Sequence, residues 1–286
     1  MDSKKNMLKF FVLSLWGLCL FSSISLVFTS AQRAEAADTF TGYNSAIFND
    51  SSNAVGTSSF FNVLSGSSNA IGDFSNNNGV SGLNNGIGDI SSNNIMSGAG
   101  NNIGDGSLGN VVSGIGNTLY NTSRFNAVSG NGNKLYDSTG ENIVSGTSNA
   151  IDSSSYNNLI TGELNILGKV NEGNAVSGSG NSLGDAMYNN IMSGEDNSIG
   201  DASQGNAMSG YDNSLGSASV DNLISGSSNV LGATNKGNTV SGYKNTLGNA
   251  AYDNLVSGEG NVLGDSTIGN AISGEGNTLV SGSTDN

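Results

Sequence analysis

The sequence contains no histidine and no proline, and its one cysteine, Cys19, lies close to the N-terminus. Lysine and arginine together number 9 against 23 acidic residues, and only 11% of the 286 residues are charged. Each shortage removes a class of function. Without histidine, and without cysteine after residue 19, there is no conventional nucleophile–base pair and no soft metal site. The chain is therefore read as non-enzymatic, with no cofactor. One cysteine makes no disulfide framework. A chain so poor in basic residues has no stripe for nucleic acid and no attraction to anionic membranes. No apolar stripe of helical period follows the first 36 residues, which excludes a helical bundle.

Residues 1–36 read as a signal peptide. Lys4, Lys5 and Lys9 form a basic start, Phe10 to Phe28 an apolar run, and Ala34-Glu35-Ala36 a cleavage site of A-x-A type. A membrane anchor is the alternative for a run of this length, but the cleavage site favours removal. Leu18, before Cys19, is not the small residue a lipoprotein signal requires. Cleavage removes Lys4, Lys5, Lys9 and Arg33 with Asp2 and Glu35, leaving 5 basic and 21 acidic residues and a net charge of −16. The expected location is secreted, extracellular or at the cell surface, without membrane insertion after cleavage. The acidity serves solubility and mutual repulsion.

What the chain has in abundance is glycine (43 residues), asparagine and serine. Such a composition usually signals disorder. Here it is ordered into one repeated sentence, Asn-x-Val-Ser-Gly-x-x-Asn-x-Leu-Gly plus five looser residues. From Asn62 to Asn270 it recurs every 16 residues, in 14 copies without insertion or deletion, and Asn286 starts a fifteenth. A linker has no reason to hold register; a strict period marks a stacked, quasi-one-dimensional fold. The expected architecture is all-β, a single elongated β-solenoid (parallel β-roll or β-helix) of 16-residue coils over residues 62–286. Residues 37–61 read as a degenerate N-terminal capping repeat, rich in aromatics (Phe40, Tyr43, Phe48, Phe60, Phe61). Asn53, Val55 and Gly56 match the second half of the motif there, and Ala46 stands at the place of its first Asn. An exposed aromatic patch is the alternative for that stretch.

Counting from Asn62 as position 1, Asn at positions 1 and 8 and Gly at position 5 occur in every copy. Position 3 is always aliphatic or Met, position 10 always Ile or Leu. Period-two alternation over positions 1–4 and 8–11 predicts two short strands per coil, with positions 3 and 10 inward and the asparagines on the same parity. Stacked amides both donate and accept, so Asn62, Asn69, Asn174, Asn181, Asn190 and Asn197 are assigned to a structural ladder. Gly178 and Gly194 supply the turn. Fourteen coils at the strand spacing make a rod on the order of 65–70 Å long.

Position 2 alternates large and small from Leu159 on: Leu159, Ile191, Leu223 and Leu255 take turns with Ala175, Ala207, Thr239 and Ala271. Tyr156, Tyr188 and Tyr252 alternate with it at position 15. These seven large residues are the candidate self-association stripe, since parity turns position 2 outward and a continuous apolar stripe suggests contact. A duplicated two-coil unit, or a coil 32 residues around, are the bland alternatives. Asp recurs at position 12 (Asp73, Asp89, Asp105, Asp185, Asp201, Asp265), where a soluble turn residue is expected and Ca²⁺ binding is a minor alternative. Glu195-Asp196 pairs two carboxylates with no spacing across a cleft. At the end, Leu279-Val280-Ser281-Gly282 reads as a slip in the last copy, leaving an uncapped coil whose strand edges invite association.

Runs such as Asn174-Ala175-Val176-Ser177-Gly178 followed by Asn181-Ser182-Leu183-Gly184 resemble the head repeats of trimeric autotransporter adhesins, the Hep/Hag type. That resemblance covers residues 44–282 and implies a left-handed parallel β-roll that trimerises and adheres to a host or matrix surface. The 16-residue period is longer than that family's, and no run of alternating strands suits its membrane barrel. Signal peptide, Gly/Asn-rich strand-turn-strand units and lack of proline are also similar to secreted curli-like subunits, which polymerise into matrix fibres. Bacterial ice-nucleation repeats share the 16-residue period, but no Thr-x-Thr column is present. The expected function is a non-enzymatic, secreted structural protein that self-associates into a fibre, matrix or surface layer. An adhesin head trimer is the alternative, with ice binding ranked below it.

Overall fold

The computed structural model describes residues 39–40, 45–48 and 52–286. The signal peptide with its cleavage site and Cys19, and Tyr43 of the capping stretch, lie outside the described residues. Ala36–Asn286 forms one compact unit.

Each repeat makes one turn of a parallel β-solenoid. Positions 2–6 form a long strand, as in Ile191–Glu195, and positions 9–10 a short one, as in Ser198–Ile199. Both pair only with their equivalents one coil away: Ile191 lies between Ala175 and Ala207, and Ser198 between Ser182 and Ser214. Among the described residues the long strands build a 15-stranded parallel sheet and the short ones a 16-stranded sheet. The partner offset is 16 throughout the array, so one coil is 16 residues around, and the 32-residue alternation is decoration on single coils.

The coil has a third side that the two-strand expectation omits. Position 15 forms isolated parallel bridges, running from Tyr156 to Glu172, Tyr188 and Gln204. Position 14, one residue earlier, is a third inward column beside positions 3 and 10. It is small or polar in most copies, as in Ser155, Asn171 and Ser203, and it is buried. Val176, Leu183, Met192 and Ile199 illustrate the two apolar columns, all buried and part of one continuous core. Two such side chains, worth about 2 kcal/mol each, do not offset the ordering entropy of 16 residues. A lone coil is therefore unstable, and the fold exists only by stacking.

Four positions per coil have positive φ: position 5 and the corners at 7, 13 and 16. Gly178 (φ 109) and Gly194 (φ 113) occupy position 5. The corners accept other residues, including β-branched ones that the left-handed region penalises, such as Ile90 (φ 57) and Val170 (φ 59). Val170 is also solvent-exposed, so its side chain gains little from packing. Val170→Asn is expected to raise stability by about 1 kcal/mol, read as a higher unfolding midpoint. An unchanged or lower midpoint would mean that this corner carries no such strain.

Both ends differ from expectation in register. Ala46 pairs with Val63 at position 2, so Ser45, not Ala46, stands at the first Asn position. The Ser45 hydroxyl accepts the Asn62 N–H at 3.2 Å, as an Asn amide oxygen does elsewhere. The offset is 17 there and 16 again at Ala54–Ala70, which puts one extra residue between Phe48 and Ala54. At the other end the last copy does not slip. Thr278–Leu279 pairs in register with Val262–Leu263, the Ser281 hydroxyl accepts the Asp265 N–H at 3.1 Å, and Thr284 bridges Ile268. Asn286 donates its N–H to Asn270 Oδ1 at 3.1 Å. Val280 stands at a usual Gly position, and Gly282 (φ 78) takes the left-handed corner at position 13.

Candidate interaction face

The inward asparagines of positions 1 and 8 are used in building the coil. Asn62, Asn69, Asn174, Asn181, Asn190 and Asn197 are all buried. In the first column, Asn190 donates its backbone N–H (2.9 Å) and Nδ2 (3.1 Å) to Asn174 Oδ1, and Nδ2 again to the Ser203 carbonyl (2.9 Å). In the second, Asn197 donates in the same way to Asn181 Oδ1, both at 3.1 Å, and to the Gly210 carbonyl at 2.9 Å. Each amide thus ties its own coil to those on both sides. At Gly178 and Gly194 an added Cβ would run into the carbonyl of the next coil's glycine, so this column of turns accepts no side chain. Among the described residues, one buried side-chain polar atom, Ser107 Oγ, has no hydrogen-bond partner.

The Asp column at position 12 is likewise structural. Asp89 Oδ1 accepts the Asp73 N–H at 2.8 Å, Asp105 Oδ1 that of Asp89 at 2.9 Å, and Asp201 Oδ1 that of Asp185 at 2.9 Å. Asn121 and Ser281 do the same with neutral oxygens, so this contact needs an acceptor rather than a charge, and Lys169 and Ala233 stand at the position without making it. Among the described residues no three His, Cys, Asp or Glu side chains converge on a metal-sized site.

One outward face left for recognition is the outer surface of the long-strand sheet. Leu159, Ile191, Leu223 and Leu255 stand on it, 44–57% exposed, while Ala175, Ala207 and Thr239 between them are half-buried. Beside them runs position 4, Ser in every copy but Thr161, half-buried in all but two coils. No charged residue occurs at position 2 or 4 from Val63 to Ser273. Charge is confined to other columns, such as position 6 (Glu163, Glu195, Glu259, Glu275) and the corners. An uncharged strip therefore runs along a strongly acidic rod.

Tyr156, Tyr188 and Tyr252 are exposed but belong to the bridge column. A left-handed corner at Asn157, Asn189 or Asp253 separates each from the aliphatic residue that follows. The seven-residue stripe is thus divided over two sides of the coil, and only its aliphatic half lies on the uncharged strip. Two aromatic features escaped the column reading. Tyr120 and Tyr136, at usual Gly positions, stack with ring centroids 4.8 Å apart and planes 5° from parallel. Lys244 Nζ lies 4.7 Å from the Tyr243 ring centroid, and a hydrogen bond to Tyr243 raises its pKa above the ordinary lysine value.

The fold and this face define a parallel β-solenoid with a regular outer strip. No family model matches the chain, and no curated protein matches it. Among solved structures it is similar to a Desulfovibrio desulfuricans G20 protein assigned as an acetyltransferase, at 8% identity, over 70% of this chain and 63% of that one. The TM-score is 0.13, and the likeness carries no argument about fold or activity.

Proposed function

We propose that this chain is a non-catalytic, secreted structural protein that associates laterally with further copies of itself, as the rod unit of a fibre, matrix or surface layer. The observation that carries this reading is the uncharged strip at positions 2 and 4. It runs in strict register along a rod whose charge lies in other columns. Internal amide ladders hold the strip rigid, so a periodic partner meets it at little cost in entropy. Net negative charge opposes side-by-side packing, so association strengthens as salt screens the rods. Electron microscopy of purified protein lacking residues 1–36 is expected to show bundles or fibres wider than one rod, more abundant at high salt. Single rods under all conditions would refute the reading, and a sharp trimer would move it to adhesin heads.

A second reading, ice binding, is favoured by one observation. The position 4 hydroxyls make a half-buried column, one per coil at about 4.8 Å, on an uncharged rigid face. A crystal of water is also a flat periodic partner, and uncharged groups with weakly held hydration suit it. If ice crystals grown with the protein change shape or coarsen more slowly, and Ser193→Lys abolishes the effect, this reading replaces the first.

A further inference from the structure

The strip carries a size pattern that its own copy complements. Over eight coils the outward residue at position 2 runs Leu159, Ala175, Ile191, Ala207, Leu223, Thr239, Leu255, Ala271. Strict register turns this alternation into ridges and dents along the rod. The dent over Ala175, bounded by Leu159 and Ile191, has a volume of about 140 Å³. That compares with the ~150 Å³ of an engineered apolar cavity large enough to bind benzene. This dent, open on its outer side, therefore has room for an aliphatic side chain of a facing copy.

We infer that two copies pair face to face and antiparallel through these eight coils, the ridges of one in the dents of the other. The inference rests on the self-association proposed above and specifies its partner and geometry. Symmetry decides the direction. A two-fold axis along the rods places equal heights together and sets ridge on ridge. A two-fold axis across them, between the coils of Ala207 and Leu223, reverses the order. Leu159 then faces Ala271, Ala175 faces Leu255, Ile191 faces Thr239, and Ala207 faces Leu223. A large residue meets a small one at every level, and the contact is closed and isologous. Positions 2 and 4 bring no charge into the contact, while position 6 of the same strands brings Glu163, Glu195, Glu259 and Glu275, with Glu163 level with Glu275, so the pairing needs salt to screen it. The N-terminal coils do not join this block, because Ile143 and Leu159 are large in succession. Eight coils of five-residue strands cover about 600 Å² per partner, about 1,200 Å² in all, the lower bound for a specific interface. A weak dimer, strengthened by salt, is the expected first product, and the strip of the coils from Val63 to Ile143, outside the paired block, is left for the contacts of a wider assembly.

Sedimentation equilibrium on protein lacking residues 1–36 tests this with variants of opposite sign. Ala175→Leu with Ala207→Leu fills two dents with a residue the same column already holds at Leu159 and Leu223, so folding is preserved. Interlocking predicts a dimer at least about tenfold weaker. A tighter or unchanged dimer overturns the interlock and leaves general apolar association standing. Leu223→Ala removes a ridge and weakens the dimer under both readings; no change there overturns both. A spin label on cysteine at Ser273 reads direction. Antiparallel pairing separates the two labels by seven coils, about 34 Å, and a short label–label distance overturns the arrangement.

Discussion

Gly194→Ala is expected to unstack the rod locally and to cost about 4 kcal/mol of unfolding free energy. Two effects coincide at this position. The backbone has φ 113, where an L side chain is strained. The new Cβ would also strike the Gly210 carbonyl, backbone that cannot swing aside. That carbonyl accepts the Asn197 amide at 2.9 Å, so moving it disturbs the second ladder as well. Gly260 provides the contrast. It lies at a corner with φ 63 and open space where a Cβ would go, so Gly260→Ala is expected to cost about 1 kcal/mol. Denaturant unfolding of the two variants separates the claims. In a stacked array the Gly194 variant is also expected to unfold in two steps, one on each side of the lesion. Equal, small losses for both would show that close backbone approach at position 5 does not hold the coils together.

Asn181→Leu is expected to cost about 4 kcal/mol or more, although leucine is apolar and the site is buried. Asn181 Nδ2 donates to Asn165 Oδ1 (3.0 Å) and to the Ser177 (3.0 Å) and Gly194 (2.8 Å) carbonyls. Its Oδ1 accepts both the backbone N–H and the Nδ2 of Asn197 at 3.1 Å. Leucine makes none of these bonds: it leaves the Asn197 N–H without a partner where water does not reach, and it strips the Gly194 carbonyl of its side-chain donor, leaving it the backbone ladder bond alone. The orphan costs roughly 1–3 kcal/mol and each further lost bond about 1 kcal/mol. Ser182→Ala, one residue on and half-buried, is expected to change stability by less than about 0.5 kcal/mol. Hydrogen exchange adds a spatial readout, with protection lost first in the coils from Asn165 to Asn197. A loss under about 1 kcal/mol would mean that the ladder is incidental to the fold.

The coil itself was legible because its builders do not vary. Asn at positions 1 and 8 and Gly at position 5 recur in every copy, and two-residue alternation around them reads directly as strand. The third inward column was hidden because its residues are ordinary for a loop. Ser155 and Ser203 in a Ser-rich stretch carry no apolar signal, although Met187 and Ala251 at the same position are fully buried. The first Asn position of the first coil was hidden for a related reason. Ser45 does the work of an Asn through its hydroxyl, a substitution of acceptor for acceptor that a motif search scores as a mismatch. The last copy looked slipped because Val280 displaced a glycine, while the acceptor at position 12 and the corner at position 13 were supplied by Ser281 and Gly282. On the surface, sequence parity turned Leu159, Ile191, Leu223 and Leu255 outward. It could not divide the tyrosines from them, because the corner at position 16 depends on φ rather than residue type: Asn157, Glu141 and Phe125 all adopt it.

Inner columns build the rod, and in the proposed reading the uncharged outer strip makes its contacts. Sedimentation of protein lacking residues 1–36 beside an Ile191→Asp, Leu223→Asp variant, over rising concentration and salt, tests that division most directly. The parent chain is expected to associate with concentration, and more strongly with salt. The variant is expected to remain monomeric with its unfolding midpoint unchanged, since both positions are exposed. One monomeric species for both proteins at every concentration and salt, or association undiminished in the variant, would contradict it.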